Sequence, residues 1–95
     1  MIGPGARVRL AHKVRLRRDP RTNKMVLLYP ERGLELSETA GDIAALCDGR
    51  SAGAIVEALA ARYAGVARER MEQDVLAFLR TLAERGLLHV EEETA

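Results

Sequence analysis

Aromatic residues are almost missing from this sequence: Tyr29, Tyr63 and Phe78 are the only three in 95 residues, and Trp is absent. A core must therefore be assembled from Leu, Val, Ile and Ala. Cysteine is limited to Cys47, which excludes an internal disulfide framework and fits a reducing compartment. No run of about 18 apolar residues occurs, so no membrane-spanning helix is expected. The opening Met1-Ile2-Gly3-Pro4-Gly5 lacks a secretory apolar stretch, and a cytoplasmic protein is the expectation. Histidine is confined to His12 and His89, far apart in the chain and without the third or fourth ligand that a metal site needs. No Gly-rich phosphate loop is present either, because Gly3-Pro4-Gly5 precedes no strand-to-helix unit.

What remains is an ordinary globular composition: 47% hydrophobic, 31% charged and a formal net charge of +1. At 10.4 kDa, folding is expected to remove roughly 64% of the unfolded surface from water, enough for one thin core. The charge is split along the chain. Residues 1–32 carry nine Lys or Arg against Asp19 and Glu31, a net of +7; residues 33–95 carry six Arg against twelve acids, a net of −6. Such asymmetry marks either a surface for an acidic partner or the solvated outer side of a basic strand.

Residues 1–12, with two Gly and a Pro, read as a flexible lead-in. Lys13 to Arg17 alternates polar and apolar, with Val14 and Leu16 on one side, which is the pattern of a half-buried strand. Asp19-Pro20-Arg21-Thr22-Asn23 supplies turn chemistry. Met25-Val26-Leu27-Leu28-Tyr29 predicts a central strand, Pro30-Glu31-Arg32-Gly33 another turn, and Leu34-Glu35-Leu36 a short third strand.

The period then becomes helical. Ser37 is the expected N-cap of a helix burying Ala40, Ile43, Ala44 and Cys47 and stopping at Asp48-Gly49, although Gly41 weakens it. Ser51 caps a second helix with Ile55, Leu59 and Tyr63 on one face, ending near Gly65. Met71, Val75, Phe78, Leu79 and Leu82 form the stripe of a third, which Gly86 terminates with Leu87 folding back on Leu82. The expected class is α+β: a three-stranded antiparallel sheet followed by three helices, resembling a winged helix-turn-helix. The single domain spans 13–90, and 91–95 form a frayed acidic tail.

No catalytic residues emerge. Cys47 lies on an apolar helix face, and neither histidine has a neighbour that makes a nucleophile–base pair. DNA binding would need a basic face on the groove-entering helix, yet the third helix balances Arg68, Arg70, Arg80 and Arg85 against Glu69, Glu72, Asp74 and Glu84. Peptide binding fits better. The first strand carries Lys13, Arg15 and Arg17, charges that discourage edge pairing, whereas the third is short and open to a guest strand. With the third helix beside it, Leu34 and Leu36 would line a groove with Val75, Phe78, Leu79 and Leu82. Equally, those six residues simply close the core.

Several strings follow one another at family-like intervals: Val14-Arg15-Leu16-Arg17, Leu27-Leu28-Tyr29-Pro30-Glu31, Leu36-Ser37-Glu38-Thr39-Ala40, Leu46-Cys47-Asp48-Gly49 and Gly86-Leu87-Leu88. With Ile55-Val56, Asp74-Val75 and Phe78-Leu79 they resemble the pyrroloquinoline quinone (PQQ) biosynthesis protein D family (PqqD) from about Val14 to Leu88. Ser37 stands where the family often has Asn, and either residue can cap a helix. The resemblance implies a non-catalytic, winged-helix-like peptide chaperone, a leader-peptide recognition domain without metal or cofactor of its own. It implies that the domain binds the precursor peptide PqqA and presents it to the radical S-adenosylmethionine (radical SAM) enzyme PqqE, which joins a Glu and a Tyr of that peptide. The iron–sulfur clusters and S-adenosylmethionine belong to that partner. The peptide is implied to add as a strand beside Gly33, Leu34, Glu35 and Leu36, against Val75, Phe78, Leu79 and Leu82. The expected assembly is a monomer, with exchange of the N-terminal hairpin between copies as the alternative. No nucleic acid or membrane partner is expected on this reading; a winged-helix DNA-binding protein is the alternative to it.

Overall fold

Alternation along Arg15-Leu16-Arg17 and the near-continuous apolar run Met25–Tyr29 build the centre of the sheet that matters most. In a computed structural model, which describes residues 2–30 and 32–92, the chain runs β1 (Arg7–Leu10), β2 (Arg15–Arg18), β3 (Met25–Tyr29), β4 (Arg32–Glu35), α1 (Glu38–Ala45), β5 (Asp48–Ser51), α2 (Ala52–Arg62), α3 (Arg68–Glu84) and β6 (Leu88–Glu91). The expected antiparallel meander is present as β2-β3-β4. Its register sets Leu16 opposite Leu27 and Leu27 opposite Leu34, so those three share the core face. Strand ends shift by one or two residues from expectation. Lys13 turns with φ 76°, leaving β2 to start at Arg15, and β4 starts at Arg32 rather than Leu34. The β2–β3 turn closes as its chemistry suggests: Asn23 N–H donates to the Asp19 carbonyl at 2.7 Å, Arg21 N–H to Asp19 Oδ1 at 2.9 Å, and Asn23 takes φ 62°.

The lead-in expected over residues 1–12 is corrected by the structure. Arg7–Leu10 is the middle strand of a second antiparallel sheet, β5-β1-β6, with Val8 1% exposed. Ile2 and Ala6 are buried as well. The alternation Arg7-Val8-Arg9-Leu10 was visible, but its partners lie about 40 and 80 positions away, at Asp48–Ser51 and Leu88–Glu91. The order of three strands then three helices changes accordingly, because β5 interrupts the helices and β6 follows them. Glu91 closes β6 rather than starting a frayed tail, and residues 93–95 of that expected tail lie outside the described residues.

The helices keep their expected caps. The Ser37 and Ser51 hydroxyls accept from Ala40 N–H and Ala54 N–H, each at 3.1 Å. Helix α1 ends at Ala45, so Cys47 lies just beyond it, and α2 ends at Arg62, short of Gly65. Gly86 ends α3 at φ 74°: its N–H donates to Ala83 at 3.0 Å, and Leu87 N–H reaches back to Leu82 at 2.9 Å. That is the paired bonding of a Schellman stop. Leu27, Ile55, Leu59, Leu79, Leu82, Val8, Val56 and Val75 are the largest side chains fully withdrawn from water, an aliphatic core as the composition requires.

Candidate functional site: the free edge of the meander

β4 is the last strand of its sheet, paired to β3 on one side and, among the described residues, to no strand on the other. Which backbone groups face outward follows from one hydrogen bond. Leu36 N–H donates to the Met25 carbonyl at 2.9 Å, continuing the register that sets Glu35 opposite Val26. Opposed residues of an antiparallel pair alternate between bonded and non-bonded. Leu36, Leu34 and Arg32 therefore turn their N–H and C=O groups inward to β3, and Gly33 and Glu35 turn theirs to the open edge. Leu34 and Leu36 were expected to offer backbone groups to a guest strand; they anchor β4 instead. Gly33 and Glu35 are both exposed.

Side chains divide in a similar way. Leu36 is buried, and Leu34 is half-buried against the same core cluster. On α3, Val75, Leu79 and Leu82 are fully buried at 0% exposure, and Phe78 keeps some accessible surface. The core thus gathers Leu36, Val75, Leu79 and Leu82 in one cluster, with Leu34 and Phe78 packed at its margin. Helix α3 packs chiefly on α2 and β6. Of the six apolar side chains expected around the edge, Leu34 and Phe78 are the two with surface left to offer.

Sequence reasoning missed the cavity at the C-terminal end of β4, of about 760 Å³, whose walls include Arg18, Lys24, Glu35, Glu38, Asp42 and Arg62. The only signal available was their charge, since they come from five elements or turns spread along the sequence. Two of the acids are held close to cations: Lys24 Nζ lies 3.3 Å from Glu35 Oε1, and Arg62 3.5 Å from Asp42. Tyr63 O–H donates to Asp42 and ties α1 to the end of α2; that bond, with burial, holds the phenol above its ordinary pKa.

Burial, helped by Asp48, pushes the Cys47 thiol up to about 12, far from the thiolate a nucleophile needs. The exposed His12 and His89 both border a cavity of about 500 Å³ beside Arg9. Among the described residues no three His, Cys, Asp or Glu side chains gather as metal ligands. Among the described residues no helix is long and apolar enough to cross a membrane. On α3 the first-turn cations are already engaged, Arg68 with Glu57 and Arg70 with Asp74 at 3.4 Å.

Residues 24–88 match the family model for coenzyme PQQ synthesis protein D (PqqD). A PqqA binding protein of Rhodopseudomonas palustris strain TIE-1 is 42% identical over 86 residues, covering 90% of this chain and 83% of that one. The solution structure of the PqqD part of Methylobacterium extorquens PqqCD, described as a stand-alone recognition element for ribosomally synthesised and modified peptides, superposes with a TM-score of 0.73 at 37% identity. That match covers 86% of this chain and 87% of the other. TbiB1 in complex with the TbiA(beta) leader peptide superposes with a TM-score of 0.75 at 27% identity, covering 90% and 99%.

Proposed function

We propose, since the chain belongs to the coenzyme PQQ synthesis protein D family, that it is a peptide carrier that binds the precursor PqqA by strand addition at β4 and presents it to the radical SAM enzyme PqqE. The observation that carries this reading is the open edge, where Gly33 and Glu35 together turn two N–H and two C=O groups outward. A guest strand that pairs with them gains main-chain hydrogen bonds tolerant of sequence. Selectivity comes from side chains at the margin, Leu34 and Phe78, with Val75, Leu79 and Leu82 supporting them from within the core. Relatives named for PqqA binding and a structural match solved with a leader peptide support the same reading.

The carrier works by position. Holding the peptide near its enzyme raises effective concentration, and no group on this chain has to react. On this reading the domain is a cytoplasmic, winged-helix-like monomer, and the redox chemistry resides in PqqE.

The test follows from the direction of the backbone groups. Glu35→Pro deletes one outward N–H and leaves the β3–β4 ladder intact, whereas proline at Leu36 would break the bond to Met25. One such hydrogen bond contributes about 1 kcal/mol, so calorimetric titration with PqqA is expected to show about fivefold weaker binding by Glu35→Pro. Amide shifts on peptide addition should concentrate on Gly33, Glu35 and Phe78. A folded Glu35→Pro protein that binds PqqA like the wild type overturns strand addition at this edge. Salt-sensitive binding of duplex DNA with no response to PqqA would overturn the carrier role itself.

A further inference from the structure

The meander has a second face, turned away from the core. Alternation and register place two rows across the three strands on the side away from the core: Arg15, Leu28 and Gly33 in one, Arg17, Val26 and Glu35 in the other. Leu28 is 37% exposed, one of two large hydrophobic side chains in that condition among the described residues. Gly33 contributes no side chain, and Leu28 Cδ2 and Val26 Cγ1 both lie 3.5 Å from where its Cβ would stand. The apolar strip continues into a cavity of about 340 Å³ at the β2–β3 turn, bordered by Arg17, Arg18, Pro20 and Arg21.

The charges on this face are one-sided. Glu35 is engaged by Lys24 at 3.3 Å, and Asp19 by the backbone and side chain of Arg21. Among the described residues Arg15 and Arg17 have no ion-pair partner. A cation pair along one side of an apolar centre is complementary to a protein surface with a protruding apolar side chain beside carboxylates. A phosphate backbone would leave Leu28 and Val26 unused.

We propose that this outer face, centred on Leu28 and Val26 and bordered on its β2 side by Arg15 and Arg17, is where the peptide-modifying enzyme docks, through an acidic surface with an apolar anchor. The inference rests on the carrier reading and adds to it the surface that the enzyme uses. A guest strand at the β4 edge lies in the plane of the sheet, about 4.8 Å from β4. The docking face looks along the perpendicular, so peptide and enzyme can be bound together. The same sheet then holds both.

Two variants separate this surface from the peptide edge: the double charge reversal Arg15→Glu with Arg17→Glu, and Leu28→Ser. All three side chains are exposed, so a wild-type-like amide spectrum is expected for both proteins. Calorimetry with PqqA is expected to agree with the wild type within twofold. Binding of the carrier–PqqA complex to PqqE is expected to weaken at least tenfold for the charge reversal and at least threefold for Leu28→Ser. Wild-type binding to PqqE should also weaken as salt rises from 50 to 500 mM, as about a threefold contraction of the screening length requires. Unchanged PqqE binding by both variants, with PqqA binding intact, overturns this surface and leaves the carrier reading standing. Loss of PqqA binding by a folded charge-reversal variant assigns the face to the peptide and also overturns it. If the wild-type PqqA complex fails to bind PqqE at all, presentation to that enzyme and this surface fall together. Concentration-dependent self-association abolished by Leu28→Ser would identify a dimer contact in its place.

Discussion

Gly41 lies in the middle of α1, where glycine costs a helix about 1 kcal/mol relative to alanine. The structure supplies the reason for keeping it. A Cβ at that position would stand 2.9 Å from Met25 Cγ and 3.0 Å from Met25 Cβ, so α1 approaches β3 more closely than a side chain allows. The near end of Met25 cannot swing clear as its terminal methyl could. Gly41→Ala is therefore expected to lose about 1 kcal/mol net, overpacking outweighing the gain in propensity. Urea denaturation of Gly41→Ala, Met25→Ala and the double variant checks this. The double variant should recover part of the loss, whereas strict additivity would mean that the two sites do not meet. This contact matters to function, because Met25 accepts the Leu36 hydrogen bond that orients β4.

At the scale of the element, the end of α3 is written locally. Gly86 occupies the left-handed region at φ 74°, and a Cβ there would meet nothing within 4 Å. The penalty of substitution is thus conformational alone. Gly86→Ala is expected to lose about 1 kcal/mol and Gly86→Asn less, since asparagine visits this region more readily. Denaturant midpoints should rank Gly, Asn, Ala; an alanine variant as stable as the wild type would remove the cap argument. The Ser37 and Ser51 caps and the Asp19–Asn23 turn were legible in the same way, from contacts within five residues. So was the β2-β3-β4 meander, whose strands are joined by short turns. β5 was not legible. Asp48-Gly49-Arg50-Ser51 has no strand propensity, and it is extended because β1 lies alongside it.

The whole molecule depends on β1 more than its place at the N-terminal end suggests. It is the middle strand between β5 and β6, and Val8 buries its side chain almost completely. Val8→Ala is expected to cost about 2 kcal/mol, and removal of residues 1–10 more, since β5 and β6 would each lose their strand partner. Thermal unfolding of the truncated protein is the measurement. A wild-type midpoint would mean that the N-terminal strand is the loose lead-in its glycines suggest.

The local periods of this chain determined the meander, the three helices, their serine caps and the glycine stop of α3, because each depends on residues only a few positions apart. The same periods singled out the third strand of the meander as an open edge. Tertiary structure alone decided three further matters. Val75, Leu79 and Leu82 went to the core and left Phe78 at the margin, a choice made by α2 and β6 packing on α3. Gly33 and Glu35, not their neighbours, came to face outward, which follows from the register with β3. And β1 found partners across most of the chain's length, a pairing that no local pattern can specify, since it exists only once the helices have brought those segments together.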